Sequence, residues 1–198
     1  MPKKPSRAAR KNEQEEKLAK IRHFLKRELW KLPFYGAWKF DHKNFLTHLI
    51  LARRDGTRIL YLNLYLDFKA RGIVETFYDD DPDDEYLLSL IAKFPYQEIS
   101  ENEADFFPAL ACQYAESFGI PPCEKFRCFA KMFSPDFYTT PCLGEEQFCG
   151  DAGVPVWICH PQFPEMPSPQ QWELIRAAGG RVDSYLPEHN AQNPPLEK

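Results

Sequence analysis

Leu46-Thr47-His48-Leu49-Ile50-Leu51-Ala52-Arg53-Arg54-Asp55-Gly56-Thr57-Arg58-Ile59-Leu60-Tyr61-Leu62-Asn63-Leu64-Tyr65-Leu66 is the stretch that decides the fold. Two apolar runs, Leu46 to Leu51 and Arg58 to Leu66, flank Arg53-Arg54-Asp55-Gly56-Thr57. Asp-Gly between such runs is a strong turn signal, so the stretch predicts an antiparallel hairpin. In the second run Leu60, Leu62, Leu64 and Leu66 alternate with Ile59, Tyr61, Asn63 and Tyr65. A continuous leucine side belongs against a core. Gly72 to Tyr78, β-branched at Ile73, Val74 and Thr76, reads as a third strand.

Downstream the pattern changes to helices and short strands. Asp84 to Lys93, Glu101 to Phe118 and Lys125 to Phe133 read as helices. Ser100 with Glu103 is a capping-box pattern, and Phe107, Leu110, Ala111, Tyr114 and Phe118 form the apolar stripe of the helix that follows. Val154 to Cys159 and Arg181 to Leu186 are strand candidates. Ser168-Pro169-Gln170-Gln171 opens a helix between them, closed by Gly179-Gly180. The expected class is α+β: a small antiparallel sheet with several covering helices, preceded by a basic amphipathic helix. Residues 34–187 form one domain in this reading, between a basic tail at 1–14 with a helix at 15–33 and a flexible tail at 188–198.

Charge separates the two ends of the chain. The net charge of -4 is the sum of +7 over residues 1–31 and -11 over residues 32–198. Met1 to Gln14 carries Lys3, Lys4, Arg7, Arg10 and Lys11 and almost nothing apolar, so it cannot order itself by burial. From Glu15 to Leu32, Leu18, Ile21, Leu25, Leu29 and Leu32 form one stripe. Lys20, Lys26 and Arg27 lie on the other faces. Lys3, Lys4, Arg7, Arg10, Lys11, Lys20, Lys26 and Arg27 are therefore the candidate contacts for an anionic partner: nucleic acid, a ribonucleoprotein or an acidic protein. Phe34, Tyr35, Trp38, Phe40 and Phe45 follow the basic helix, mixed with Lys39, His42 and Lys43. They suit core lining, base stacking or an interface.

Composition sets limits. Hydrophobic residues are 43% and charged residues 27% of 198, which excludes wholesale disorder. No apolar run reaches 18 residues, so no membrane span is expected, and no apolar core follows the basic N-terminus to make an export signal. The expected location is the cytoplasm, with reduced thiols. Cys112, Cys123, Cys128, Cys142, Cys149 and Cys159 contain no C-x-x-C pair. Their spacing matches no zinc module, and no metal or cofactor is expected. Asp79-Asp80-Asp81-Pro82-Asp83-Asp84-Glu85 offers hard oxygen ligands, but without EF-hand spacing. Asp81 or Asp83 as helix N-cap accounts for the run more simply. Cys159 and His160 are the nearest thing to a nucleophile and base, yet neighbours on a strand face opposite ways. His48 should face solvent or satisfy a local polar contact. No glycine-rich phosphate loop is present.

Three segments carry a resemblance. Tyr65 to Tyr78 is similar to Y-L-V-D-x-x-x-x-G-V-K-x-x-F-Y. Ala111 to Pro122 is similar to A-x-x-Y-A-x-x-L-G-F-x-P, and Gln147 to Ile158 to F-x-F-G-x-D-G-K-P-x-Y-I. In this order they resemble a family of bacterial proteins of uncharacterised activity, some ending in a cysteine-rich SEC-C metal motif. The resemblance runs from about Asn44 to Leu186. It implies one intracellular α+β domain and supplies no catalytic residue. Pro122-Cys123-Glu124 replaces the family's histidine and aspartate, Val154 replaces its lysine, and the SEC-C cysteines are absent, so their metal does not carry over. The reading that results is a non-enzymatic interaction module. The alternative is a divalent-metal-dependent hydrolase or nuclease using the carboxylates of Asp79 to Glu85.

Overall fold

The computed structural model describes residues 27–42, 46–81, 84–138, 149–160 and 163–184. Five strands form one antiparallel sheet: β1 (Phe34–Asp41), β2 (Leu46–Asp55), β3 (Arg58–Asp67), β4 (Gly72–Asp81) and β5 (Gln97–Ile99). Their spatial order is β4-β3-β2-β1-β5. The remaining elements are α1 (Glu85–Ile91), α2 (Glu101–Glu116), α3 (Glu124–Phe129), β6 (Val156–Cys159), α4 (Pro169–Ala177) and β7 (Arg181–Ser184). The α+β class expected from the hairpin and the helical stripes is the class observed.

The hairpin closes at Asp55↔Arg58, leaving Gly56 and Thr57 as its turn. Gly56 has a φ of 63° at the first central position, where a II′ turn needs a residue without Cβ. Asp55 itself ends the strand. Leu60, Leu62, Leu64 and Leu66 face the main core with Leu49 and Leu51, beneath Ala104, Ala111 and Cys112 of α2 and Phe126 of α3. The opposite side is buried too. Ile50, Ala52, Ile59 and Tyr61 pack with Leu87 of α1.

Several elements depart from the sequence expectations. The aromatic segment after Pro33 is a full strand, β1, paired to β2 with Trp38 opposite Ile50 and Phe40 opposite His48. Its aromatic residues are part of the sheet. Of the basic helix expected over 15–33, residues 15–26 lie outside the described residues. At its far end the chain bends at Arg27 and makes a single 3-10 turn, Leu29–Lys31, with Leu29 fully buried. Leu32, held extended before Pro33, stops any α-helix there. The expected tails, 1–14 and 188–198, also fall outside the described residues. Beyond the five-stranded sheet, β6 and β7 pair in parallel, joined through α4 as parallel strands require.

Both capping boxes form: Ser100 with Glu103 at α2, and Ser168 with Gln171 at α4. Along the edge strand β4, Glu75 Oε1 accepts from the Thr76 N–H at 2.9 Å, and Asp79 Oδ1 accepts from the Asp80 N–H at 2.9 Å. Side-chain carboxylates thus occupy donors that an edge would otherwise offer to another strand.

Arg53 ties the sheet to its cover. It is 1% exposed. Its Nε donates to Met132 O at 2.9 Å, and one terminal nitrogen donates to Leu32 O at 3.2 Å and Glu101 Oε1 at 2.8 Å. One guanidinium therefore joins β2, the turn before β1, the end of α3's extension and the first turn of α2. Arg53→Met should destabilise the protein by roughly 2–4 kcal/mol in urea unfolding, because two carbonyls are left without a donor in a dry site. Arg53→Lys should recover less than half of that, since an ammonium cannot reproduce the planar fork.

Candidate functional site

Of the candidate contacts for an anion, Lys3, Lys4, Arg7, Arg10, Lys11, Lys20 and Lys26 lie outside the described residues. Arg27 is described. Its two terminal nitrogens donate to Asp55 Oδ2 at 2.5 Å and Oδ1 at 3.0 Å. The pair raises the Arg27 pKa, chiefly through its hydrogen bond to Asp55. The root of the basic arm is thereby fixed to the tip of the β2–β3 hairpin, two residues before Leu29 enters the core.

The acidic run is divided between two elements. Asp79, Asp80 and Asp81 are the last residues of β4, and the side chains of Asp79 and Asp80 leave opposite faces of the sheet. Asp80 pairs with Arg58. The N-cap residue of α1 is Asp84, not Asp81 or Asp83, and its own side chain makes no capping hydrogen bond. Asp84 Oδ2 instead accepts from the Tyr35 hydroxyl at 2.6 Å. β4 simply runs three residues longer than its β-branched stretch suggests, because pairing with β3 continues to Ile59↔Asp81. Among the described residues no three His, Cys, Asp or Glu side chains are grouped to hold a metal ion.

Of the two expectations for His48, the polar contact holds and the solvent-facing ring does not: it is buried at 6% exposure. The Tyr96 hydroxyl donates to its Nδ1, and its Nε2–H donates to Asn63 Oδ1 at 3.2 Å. Its ring stacks on Tyr65 at 4.5 Å with 4° between planes. Burial drives its pKa down to about 4, and His42 nearby adds to the shift. His160 is likewise pushed down to about 4, by burial and then by Arg71. Arg71 lies 5.1 Å over the Trp157 ring and donates to Phe163 O at 2.7 Å and Glu165 at 2.8 Å. The Cys159 thiol points to Met166 Sδ at 3.2 Å. Burial raises the Cys112 thiol pKa above its usual range. These groups are engaged in packing, not poised as nucleophile and base.

Residues 65–78, 111–122 and 149–158 meet at the β3–β4 turn. Asp67, wholly buried at the end of β3, accepts from the N–H of Lys69 at 2.7 Å and of Ala70 at 3.3 Å, and burial raises its pKa to about 6. The Gly150 N–H donates to Phe68 O at 2.7 Å, and the Val156 N–H to Lys69 O at 2.8 Å. Lys69 Nζ donates to Gly150 O and Asp151 Oδ1, both at 2.6 Å. The Tyr114 hydroxyl of α2 donates to Gly153 O at 3.0 Å. A Cβ on Gly150 would lie 2.4 Å from that hydroxyl and 2.1 Å from Val154 O, so only glycine fits. These residues build a joint between sheet, helix and the β6 segment.

A cleft of about 490 Å³ opens on the other flank of α2. Asn102, Asp105, Phe106 and Ala109 line it at spacings of three and four, one face of the helix. Ser134 and Phe137, from the turns after α3, form its opposite wall. Neither the capping box nor the apolar stripe of α2 announces this face, since its far wall lies about 30 residues away in sequence.

Folding keeps His48 and His160 neutral, whereas an unfolded histidine titrates near 6.5. Their contribution is complete above that value and is lost as pH falls toward 4, at up to about 1.4 kcal/mol per pH unit for each ring. Asp67 acts in the opposite sense, taking up a proton as pH falls through about 6. Two rings outweigh one carboxyl. Urea unfolding at pH 7, 6 and 5 should therefore show falling stability, and His48→Gln should remove most of that fall while lowering stability at pH 7.

No helix among the described residues is long and apolar enough to cross a membrane. No protein-family model, curated protein or solved structure matches the chain.

Proposed function

We propose that the chain is an intracellular, non-enzymatic interaction module whose basic N-terminal arm engages nucleic acid or a ribonucleoprotein. The observation that carries this reading is the partition of charge, +7 over residues 1–31 and -11 over the rest. An arm of that density neutralises phosphates, and an acidic body keeps the remainder of the surface from competing for them. The root of the arm supports the same reading. Leu29 is sunk in the core and Arg27 is clasped by Asp55, so the chain that follows the arm begins at a fixed point on the hairpin side. Arg27 serves as that anchor, and binding of the partner falls to Lys3, Lys4, Arg7, Arg10, Lys11, Lys20 and Lys26. The splayed carboxylates of Asp79 and Asp80 weigh against the metal-dependent hydrolase.

Deleting Met1 to Gln14 should weaken binding to single-stranded RNA or DNA at low salt. It should also reduce the slope of log affinity against log salt by roughly 0.7–0.9 for each phosphate that is no longer neutralised. The Tm should change little, because the deletion reaches neither Leu29 nor Arg27. Lys20→Glu with Lys26→Glu should weaken binding further. Fluorescence anisotropy across a salt series, with melting curves on the same proteins, checks both. A fall in low-salt stability without any nucleic-acid binding by the full chain would instead assign the arm to the acidic body.

A further inference from the structure

The cleft beside α2 has a wall chemistry that the arm does not use. Its surface is mainly apolar, with the rings of Phe106 and Phe137 on opposing sides. One carboxylate stands among them. Ser134 donates its N–H and its hydroxyl to Asp105. Asp105 Oδ1 nevertheless lies out of water's reach with no hydrogen-bond partner. Arg53, whose charge acts on Asp105, is committed to Glu101, Met132 O and Leu32 O. Burial raises the Asp105 pKa, and neighbouring Glu101 adds to it while Arg53 opposes it. A carboxylate left in this state lacks one donor and one positive charge.

We propose that this cleft binds a small organic cation, an ammonium carried on an aromatic or branched apolar stem. Asp105 lines the cleft, and an ammonium there supplies the positive charge that its carboxylate lacks. A charge-assisted hydrogen bond in a poorly hydrated site is stronger than a neutral one. Phe106, half-buried on the cleft wall, takes the stem, and an aromatic ring face also favours a cation. A cleft of about 490 Å³ is in the range of small-molecule sites. An anion would meet Asp105 and the flanking Glu103 and is repelled. This inference is independent of what the basic arm binds.

The test uses the full chain and three probes of similar shape: 2-phenylethylamine, 2-phenylethanol and 3-phenylpropionate. Ligand-observed NMR titrations at pH 7.5 should show saturable binding of the amine with a Kd of about 1–10 mM, fitting for so few atoms. The alcohol should bind at least about tenfold more weakly, and the propionate not at all. Asp105→Asn preserves shape and removes the charge. It should weaken the amine by about tenfold or more and leave the alcohol unchanged. Ala109→Leu, which narrows the cleft, should weaken both. Equal binding of amine and alcohol, an undiminished amine affinity in Asp105→Asn, or no saturation by the amine overturns the proposal. The probe comparison needs no variant, so it decides the matter even where a substitution unsettles the fold.

Discussion

A sheet whose two central strands are apolar on both faces must be covered twice. β2 and β3 impose this condition. Leu49, Leu51, Leu60, Leu62 and Leu64 are wholly buried on one side, and Ile50, Ala52 and Ile59 on the other. Burying a leucine or isoleucine side chain contributes about 1.5–3 kcal/mol, so neither face can be left to water. α2 and α3 cover the leucine side. The second side is shared. α1 contributes Leu87 at the hairpin end, and a row of rings closes the remainder, with Phe40 beside Phe94 and Tyr96, and His48 stacked on Tyr65. A histidine in that row must be neutral and fully hydrogen-bonded, and Tyr96 and Asn63 arrange this. The low His48 pKa follows from the need to close the second face with rings.

Where the two-sided cover ends, polar groups secure it. Arg53 sits at the hairpin end of the main core, and Asp67 and Lys69 at the opposite end of β3. Each satisfies backbone groups that would otherwise be stranded in a dry place. This division gives Gly150, Tyr114 and Asp67 a structural task at the β3–β4 turn. Gly150 lets the backbone approach Tyr114, and Asp67 orders the turn that receives it. Residues of those types are as well suited to a joint as to chemistry, and here their partners are backbone atoms.

What could be read from the sequence was local. The Asp-Gly turn, the leucine alternation and both capping boxes depend on residues within a few positions of one another, and all of them appear in the structure. β1 was not legible because Phe34 to Asp41 alternates poorly: Gly36 and Ala37 are adjacent and buried, and a bulge shifts the register between Phe34 and Gly36. Only β2, supplied from outside the segment, makes it a strand. The acidic run misled for a related reason. Carboxylates suggest a cap or a metal when read locally, yet pairing with β3 carries Asp79, Asp80 and Asp81 into the sheet. Strand pairing overrides local preference wherever the partner is already fixed.

The cleft shows the same limit from the functional side. Phe106 and Asp105 are read as ordinary positions of an amphipathic helix, and nothing near them in sequence marks Ser134 and Phe137 as their opposite wall. The helix has two jobs to divide among its faces. Ala104, Ala111 and Ala115 are small because the sheet lies close beneath them. A small-residue face lowers α2 onto the sheet, and its larger residues are displaced to the flank, where Phe106 meets the turns after α3. Packing the sheet closely therefore creates the cleft, and the charge in it remains because Arg53 is already taken by the core. An acidic, ring-lined flank and a basic arm anchored at Arg27 then occupy one chain without sharing a ligand: phosphate suits the arm, and a cation suits the flank.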